Sequence, residues 1–243
     1  RGKALIYGSR CEKYEVDQIR KTVDLPDLVK EREDWLYGSE PPPEGKRGAI
    51  GIPRTMFFQE LMPFFRTFFE ELGFTVVYSQ KTNKGVIRQG LEALAAEPCY
   101  PVKVAHGYIL DLLRAGVKRV FLPSIINLAH PHPEVQAGVV CPMVQSLPYT
   151  VETAIDLSQY GAELVTGVLY FGSGEGQLRK GLRQVARKLG ASLFKFDRAY
   201  MRAQGAQQAY YNRLKERGKE ILASLGPDEG LMVLIGRPCD ALG

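Results

Sequence analysis

Short apolar, β-branched runs alternate along this chain with stretches of ten or more residues at helical spacing, and that alternation leaves few folds open. Strands are predicted at 48–53, 75–78, 118–123, 139–142, 164–171, 192–196 and 231–235. Between them the spacing predicts helices at 63–72, from a cap at Thr82 or Asn83 through residue 94, and at 102–113, 151–160, 177–189 and 206–225. Alternation of this kind implies parallel sheets covered by helices, because parallel neighbours need a long crossover and a helix supplies it. The expected class is therefore α/β, Rossmann-like, in one body or in two lobes, 48–150 and 151–243. Residues 1–47 form a less regular lead-in. It holds a short strand at 4–7, a turn with Cys11, a helix at 27–37 with the sole tryptophan, Trp35, and the stiff spacer Glu40-Pro41-Pro42-Pro43-Glu44-Gly45. The chain opens on arginine and stops just after a strand and turn, so it reads as a piece of a longer polypeptide, truncated at the C-terminus.

The densest local signal is Glu97-Pro98-Cys99-Tyr100-Pro101-Val102-Lys103-Val104-Ala105-His106-Gly107. Proline suits a first helical turn, so Cys99 is expected beside the positive end of a helix, where a thiolate is stabilised. Lys103 and His106 return to roughly the same side of that helix. A cysteine placed this way can bind metal or react; the competing reading is a small, buried, inert side chain. In parallel sheets ligands gather beyond the carboxyl ends of the strands. Three features are expected there: Cys99, the loop 124–132 with His130 and His132, and Cys141-Pro142 after its strand. One helix and one strand bring the chain back to that edge, so Cys99 and Cys141 are candidates for a shared cluster, and Cys-Pro recurs among iron–sulfur ligands. Cys239, in Gly236-Arg237-Pro238-Cys239-Asp240, holds a similar place and is a candidate third ligand. His130 and His132 fit an exposed turn as well as a metal site, and His106 suits hydrogen bonding near Cys99 better than ligation.

Gly172-Ser173-Gly174-Glu175-Gly176 leads from a strand into a helix, the setting of a phosphate cradle, which makes Gly172 and Gly174 candidate cofactor contacts. The loop is GxGxG, however, without the dinucleotide spacing or the GK[ST] ending of a P-loop, and Glu175 would repel phosphate. A plain turn is the competing reading, and no ATP site is expected in this segment. No Ser-His-Asp set or carboxylate pair stands out. Arg179, Lys180, Arg183, Arg187 and Lys188 share one helix, as a solvated face or a seat for an acidic group such as a CoA phosphate. A net charge of +5 does not argue for nucleic acid. No run approaches the ~20 apolar residues of a membrane span. Four scattered cysteines with no CxxC pair and no signal peptide pattern point to a reducing cytoplasm rather than a disulfide scaffold.

Several of these motifs stand in one order: Gly51-Ile52-Pro53-Arg54, the helix from Pro63-Phe64-Phe65 to Glu70-Glu71-Leu72-Gly73-Phe74, and the run from Pro98 to Gly107. Phe121-Leu122-Pro123, Val140-Cys141-Pro142 and Leu234-Ile235-Gly236-Arg237-Pro238 complete the set. Over about residues 3–243 the chain resembles the uncharacterised domain of activase-related proteins of the 2-hydroxyacyl-CoA dehydratase system. The resemblance implies BcrA/BadF-type ATPase activase modules, acetate-kinase-like in fold, in the same or a partner chain, and an acyl-CoA as ligand. It also implies an iron–sulfur cluster of the cubane 4Fe–4S kind, held by three cysteines as in the Rossmann-like dehydratase subunits. Cys99, with a basic residue four positions on, and Cys141 match the first two. The family more often has tyrosine after Gly-Arg-Pro, so Cys239 is a departure, and Cys11 in Gly8-Ser9-Arg10-Cys11-Glu12-Lys13 is its rival. The implied function is an iron–sulfur-binding, dehydratase-like or electron-transfer domain; as an enzyme it would be a lyase component or its redox activator. Two readings compete with it. One is a cluster-free docking module for ATPase and reductase partners, which would expose apolar patches along 57–69. The other is a CoA- or nucleotide-binding domain using the loop 172–176.

Overall fold

The computed structural model describes residues 26–38, 42–94, 97–129, 134, 138–227, 229–231, 233 and 236. Cys11, His130, His132, Cys239 and the strand expected at 4–7 lie outside the described residues, as does most of the strand expected at 231–235. In chain order the strands are β1 (Ala49–Ile52), β2 (Thr75–Tyr78), β3 (Arg119–Phe121), β4 (Ser124–Leu128), β5 (Gly138–Val139), β6 (Glu163–Val165) and β7 (Val168–Tyr170). The helices are α1 (Leu28–Tyr37), α2 (Met62–Glu71), α3 (Lys84–Glu92), α4 (Tyr100–Arg114), α5 (Pro142–Gln145), α6 (Leu147–Ala154), α7 (Glu175–Lys188) and α8 (Leu193–Ser224). A parallel four-stranded sheet has the order β2-β1-β3-β6, and a three-stranded sheet has the order β5-β4-β7. The α/β class read from the alternation is the class observed. Residue 150 lies inside α6, and β6 and β7, both beyond it, pair with β3 and β4.

The two sheets share a ribbon. Arg119 faces Glu163 in the first sheet and Ser124 faces Val168 in the second, which is one and the same register. Between them the Leu122 N–H donates to the Val165 carbonyl (3.2 Å) and the Ser124 N–H to the Gly167 carbonyl (2.9 Å). So β3–β4 and β6–β7 run on together past the carboxyl ends of β1 and β2. The loop expected at 124–132 is strand at its start, because Ile125 and Asn127 find partners on β7. The single strand expected at 164–171 is divided, and the reason is α7. A Cβ on Gly167 would lie 2.6 Å from Val185 Cγ2, and one on Gly181 would lie 2.4 Å from the Val168 carbonyl. The helix therefore presses on the backbone at the break. The strand expected at 139–142 is only two residues long and runs antiparallel to β4.

Helix α2 joins sheet to outer layer. Its phenylalanines fall at i, i+1, i+4 and i+5, which makes two adjoining apolar stripes rather than one. Phe65 and Phe69 lie edge-on to Phe121 of β3, with centroids 4.9 and 4.7 Å apart. Phe64 and Phe68 turn to α8, meeting Tyr200 and Phe196 at 6.1 Å each. Phe58, Phe64, Phe65, Phe68 and Phe69 are all buried. Gln207 of α8 accepts from the Phe64 N–H (3.1 Å) and donates to the Glu60 carbonyl (2.9 Å), completing the open first turn of α2. The helix stops at Gly73, whose positive φ lets the Phe74 N–H reach back to the Phe69 carbonyl.

A strand expected at 192–196 is instead the first turn of α8. Ser192 caps it through Lys195 N–H, and Phe196, Ala199, Tyr200, Ala203, Gln207 and Tyr210 recur at helical spacing on its buried side. A five-residue window, largely apolar, does not separate a strand from such a start.

Helices α3 and α4 form a hairpin at unusually short range. A Cβ on Gly90 would sit 2.2 Å from the Lys103 carbonyl oxygen, and one on Gly107 would sit 2.0 Å from that of Val86. Either Gly90→Ala or Gly107→Ala is expected to force the pair apart and destabilise the fold by about 2–3 kcal/mol in urea unfolding. Gly205→Ala, in the middle of α8 with open space around it, is expected to stabilise by ~0.5–1 kcal/mol in the same assay.

Candidate functional site

The carboxyl end of the four-stranded sheet is the edge at which a site is expected. The chain leaves β1 for β2 on one side and returns to β3 on the other, so the space beyond β1 is a topological switch point. Asp111 of α4 accepts from the backbone N–H (2.7 Å) and side-chain amide (3.0 Å) of Gln80, just past β2. Thr82 and Tyr108 join hydroxyls at the same level. From there α4 runs outward, against α3, to its N-terminus. Cys99 lies nine residues beyond Tyr108, about 13 Å farther out at the helical rise.

Cys99 is the N-cap residue of α4, with Pro101 in the first turn, and helix starts at Tyr100, two residues earlier than expected. The thiol is exposed, not buried and inert, and it makes no capping hydrogen bond to its own helix. Cys141 repeats the pattern on a smaller scale as the exposed N-cap of α5, followed by Pro142. It is reached by the return of β5 along β4, with the Val140 N–H donating to the Ile126 carbonyl (2.9 Å). Both thiols therefore lie beyond the carboxyl ends of β1 and β2. Among the described residues no group of three or more Cys, His, Asp or Glu is arranged to hold a metal ion.

Lys103 and His106 do not face one thing. Lys103 pairs with Glu97, which precedes the cysteine. His106 is 1% exposed, and its Nδ1–H donates to the Val102 carbonyl one turn back (2.8 Å). Its Nε2 is buried without a partner among the described residues. The glycine loop is organised by Asn127 of β4: the Gly172 N–H donates to Asn127 Oδ1 (2.8 Å), and Asn127 Nδ2 donates to Ser173 Oγ (2.6 Å). Gly174 caps α7 with φ +88°, and Glu175 lies 3.7 Å from Arg179 within the first turn. One of the loop N–H groups that a phosphate would use is thus already engaged.

The model of the family described as CoA enzyme activase uncharacterised domain (DUF2229) matches residues 49–242. The chain belongs to this family. Among curated proteins and solved structures, none matches it. The activase-domain match takes in Cys99, Cys141, Lys103, His106 and the 172–176 loop. No helix among the described residues is long and apolar enough to cross a membrane.

One constellation of this activase-family domain escaped the sequence reading. Between α1 and the ends of β1 and β2 opens a cleft of about 280 Å³, lined by Arg32, Glu33, Tyr37, Arg54, Lys81 and Tyr108 among others. Arg54, directly after β1, stacks on the Tyr37 ring at 3.7 Å and donates to Glu33 Oε1 at 3.1 Å. Lys81, after β2, donates to Glu33 Oε2 at 2.6 Å. The Arg54 backbone is held at both ends, its N–H by Ser79 Oγ (2.9 Å) and its carbonyl by Gln59 (3.4 Å). Tyr37 in turn meets Tyr78 edge-on at 5.1 Å. Cations immediately after two predicted strands were the available signal; Glu33 and Tyr37, on a helix ahead of the family match, gave none.

The hydroxyls of Tyr37 and Tyr78 are shut from solvent with no partner among the described residues, and burial pushes both phenols above their ordinary 10.0. Burial likewise raises Tyr200 to about 12. A pKa raised in the fold means that the stabilisation is complete below the unfolded value of about 10 and drains away as pH climbs past it. The melting temperature is expected to hold to about pH 10 and then fall, and to fall less steeply in Tyr37→Phe; calorimetric melts from pH 9 to 12 measure this.

Proposed function

We propose that this domain binds an iron–sulfur cluster, through Cys99, Cys141 and one further cysteine, within the CoA enzyme activase system of its family. What supports the reading is what the two thiols have in common. Each is exposed, each precedes a proline in a first helical turn, neither caps its own helix, and both lie beyond the same end of the sheet. Thiolate sulfur is the donor such clusters take, and helix N-termini favour the negative charge that a thiolate-ligated cluster carries. The donor chemistry of these two residues suits the group, and the third cysteine lies outside the described residues. The third position falls to Cys239 or Cys11. When bound, the cluster would supply one-electron chemistry, or a Lewis-acid iron where one site lacks a protein ligand.

The chain's own residues have narrower tasks. Lys103, paired with Glu97, keeps a cation one turn from Cys99. His106 is oriented by its hydrogen bond to the Val102 carbonyl one turn back in the same helix. The BcrA/BadF-type ATPase modules are the expected electron donors, in the same or a partner chain, and a dehydratase-like or electron-transfer role follows. A docking module without a cluster is less well supported, because the phenylalanines of α2 that would form its apolar patch are buried under α8 and the sheet.

Iron and acid-labile sulfide, measured with visible absorption after anaerobic reconstitution, test the proposal. Wild type is expected to hold a stoichiometric cluster, and Cys99→Ala and Cys141→Ala to fall to background. Of Cys11→Ala and Cys239→Ala, one is expected to lose iron and the other to keep it. Iron unaffected by Cys99→Ala, or none in the reconstituted wild type, would overturn it.

A further inference from the structure

The cleft between α1 and the ends of β1 and β2 has a use that the cysteines do not explain. Three of its lining side chains are cationic, Arg32, Arg54 and Lys81, against the single carboxylate of Glu33. Arg54 is only 18% exposed, and its planar guanidinium is fixed by the stack on Tyr37 and by the contacts to its backbone. A rigid fork of this kind recognises carboxylates and phosphates by geometry as well as charge. Tyr37, 8% exposed, lines the cleft with its ring and carries the stacked guanidinium. Tyr108 and Leu36 supply apolar surface beside these groups. The location, beyond the carboxyl ends of strands at a switch point, is where open α/β sheets seat small ligands.

We infer that this cleft is a binding site for a small oxyanion, a carboxylate or a phosphate, gripped by Arg54 and Lys81, with a short organic body against the phenol rings. Glu33 marks the seat. Its carboxylate already bridges Arg54 Nη1 and Lys81 Nζ, as an incoming oxyanion would, and so competes with it from within the chain. The site is independent of any cluster, and the test uses iron-free protein.

Succinate and inorganic phosphate, each titrated calorimetrically into the chain at fixed ionic strength with sodium chloride as control, read the site directly. At least one is expected to bind saturably. Lys81→Gln is expected to weaken that binding about tenfold, and Glu33→Gln, which removes the internal competitor, to tighten it about tenfold. A merely structural ion pair would not give opposite signs for its two partners. Succinate alone would identify an organic carboxylate as the ligand class; phosphate alone, or both, would identify a general oxyanion seat. The Lys81 side chain is 67% exposed, so Lys81→Gln keeps the test decisive should Glu33→Gln fail to fold. Heats no larger than those of chloride for both anions, or binding unchanged by Lys81→Gln, would overturn the inference.

Discussion

The two-sided aromatic packing of α2 is the interaction on which the rest of the structure depends. One stripe, Phe65 and Phe69, holds the helix to β3; the other, Phe64 and Phe68, holds α8 to the helix. A single-stripe helix would cover the sheet and present a polar back. Here the back is apolar and needs a second cover, and α8, with Phe196, Tyr200 and Gln207, provides it. The dependence continues outward. Arg213 of α8 stacks on Trp35 at 4.1 Å, and Arg217 donates to both carboxylate oxygens of Glu31, at 2.7 and 2.8 Å. These contacts seat α1, and α1 brings Glu33 and Tyr37 to Arg54. The charged cleft is thus assembled from a distance, through two helices, by the phenylalanines of a third.

The cysteines are placed by close backbone approach rather than by side-chain packing. Glycines at 90 and 107 let α3 and α4 interlock, so α4 stands out beyond the sheet with Cys99 at its start. Glycines at 167 and 181 let α7 lie against the β6–β7 junction, and the ribbon that carries β4 and β5, and hence Cys141, extends in the same direction. Such approaches tolerate almost no volume, which is why these positions matter more than their lack of a side chain suggests.

How much of this was legible follows from what each signal depends on. β1, β2 and the helices at α1, α2, α3 and α7 were readable because each has its own period and its own punctuation: Asp27 and Asn83 as caps, Gly73 as a stop. The position of Cys99 at a helix start was readable from Pro101 for the same reason. The division of 164–171 was not, since it is imposed by Val185, eighteen residues beyond Gly167. The helical start at Leu193 was hidden in a short, largely apolar run that fits a buried strand as well, and only Phe196, Ala199 and Ala203 together reveal the true period. The cleft was least legible of all. Arg54 and Lys81 meet Glu33 across 21 and 48 positions, and no local pattern announces a pair that exists only after the fold has formed.

The interlock of α3 with α4 also holds Cys99 away from the cleft. Tyr108 of α4 borders the cleft and Cys99 begins the same helix, so the distance between them is a length of rigid α-helix, about 13 Å. Sliding α4 past α3 to carry Cys99 toward Arg54 would drive the Gly90 and Gly107 contacts into neighbouring residues that carry a Cβ, and close-packed interfaces resist such shear. A ligand small enough for a cleft of about 280 Å³ therefore does not extend to Cys99. Only an elongated molecule, with its oxyanion on Arg54 and Lys81 and a chain running along α4, would touch both ends. A small anion in the cleft would therefore act on the seat of α1 and on the charge around Arg54, and leave the start of α4 untouched.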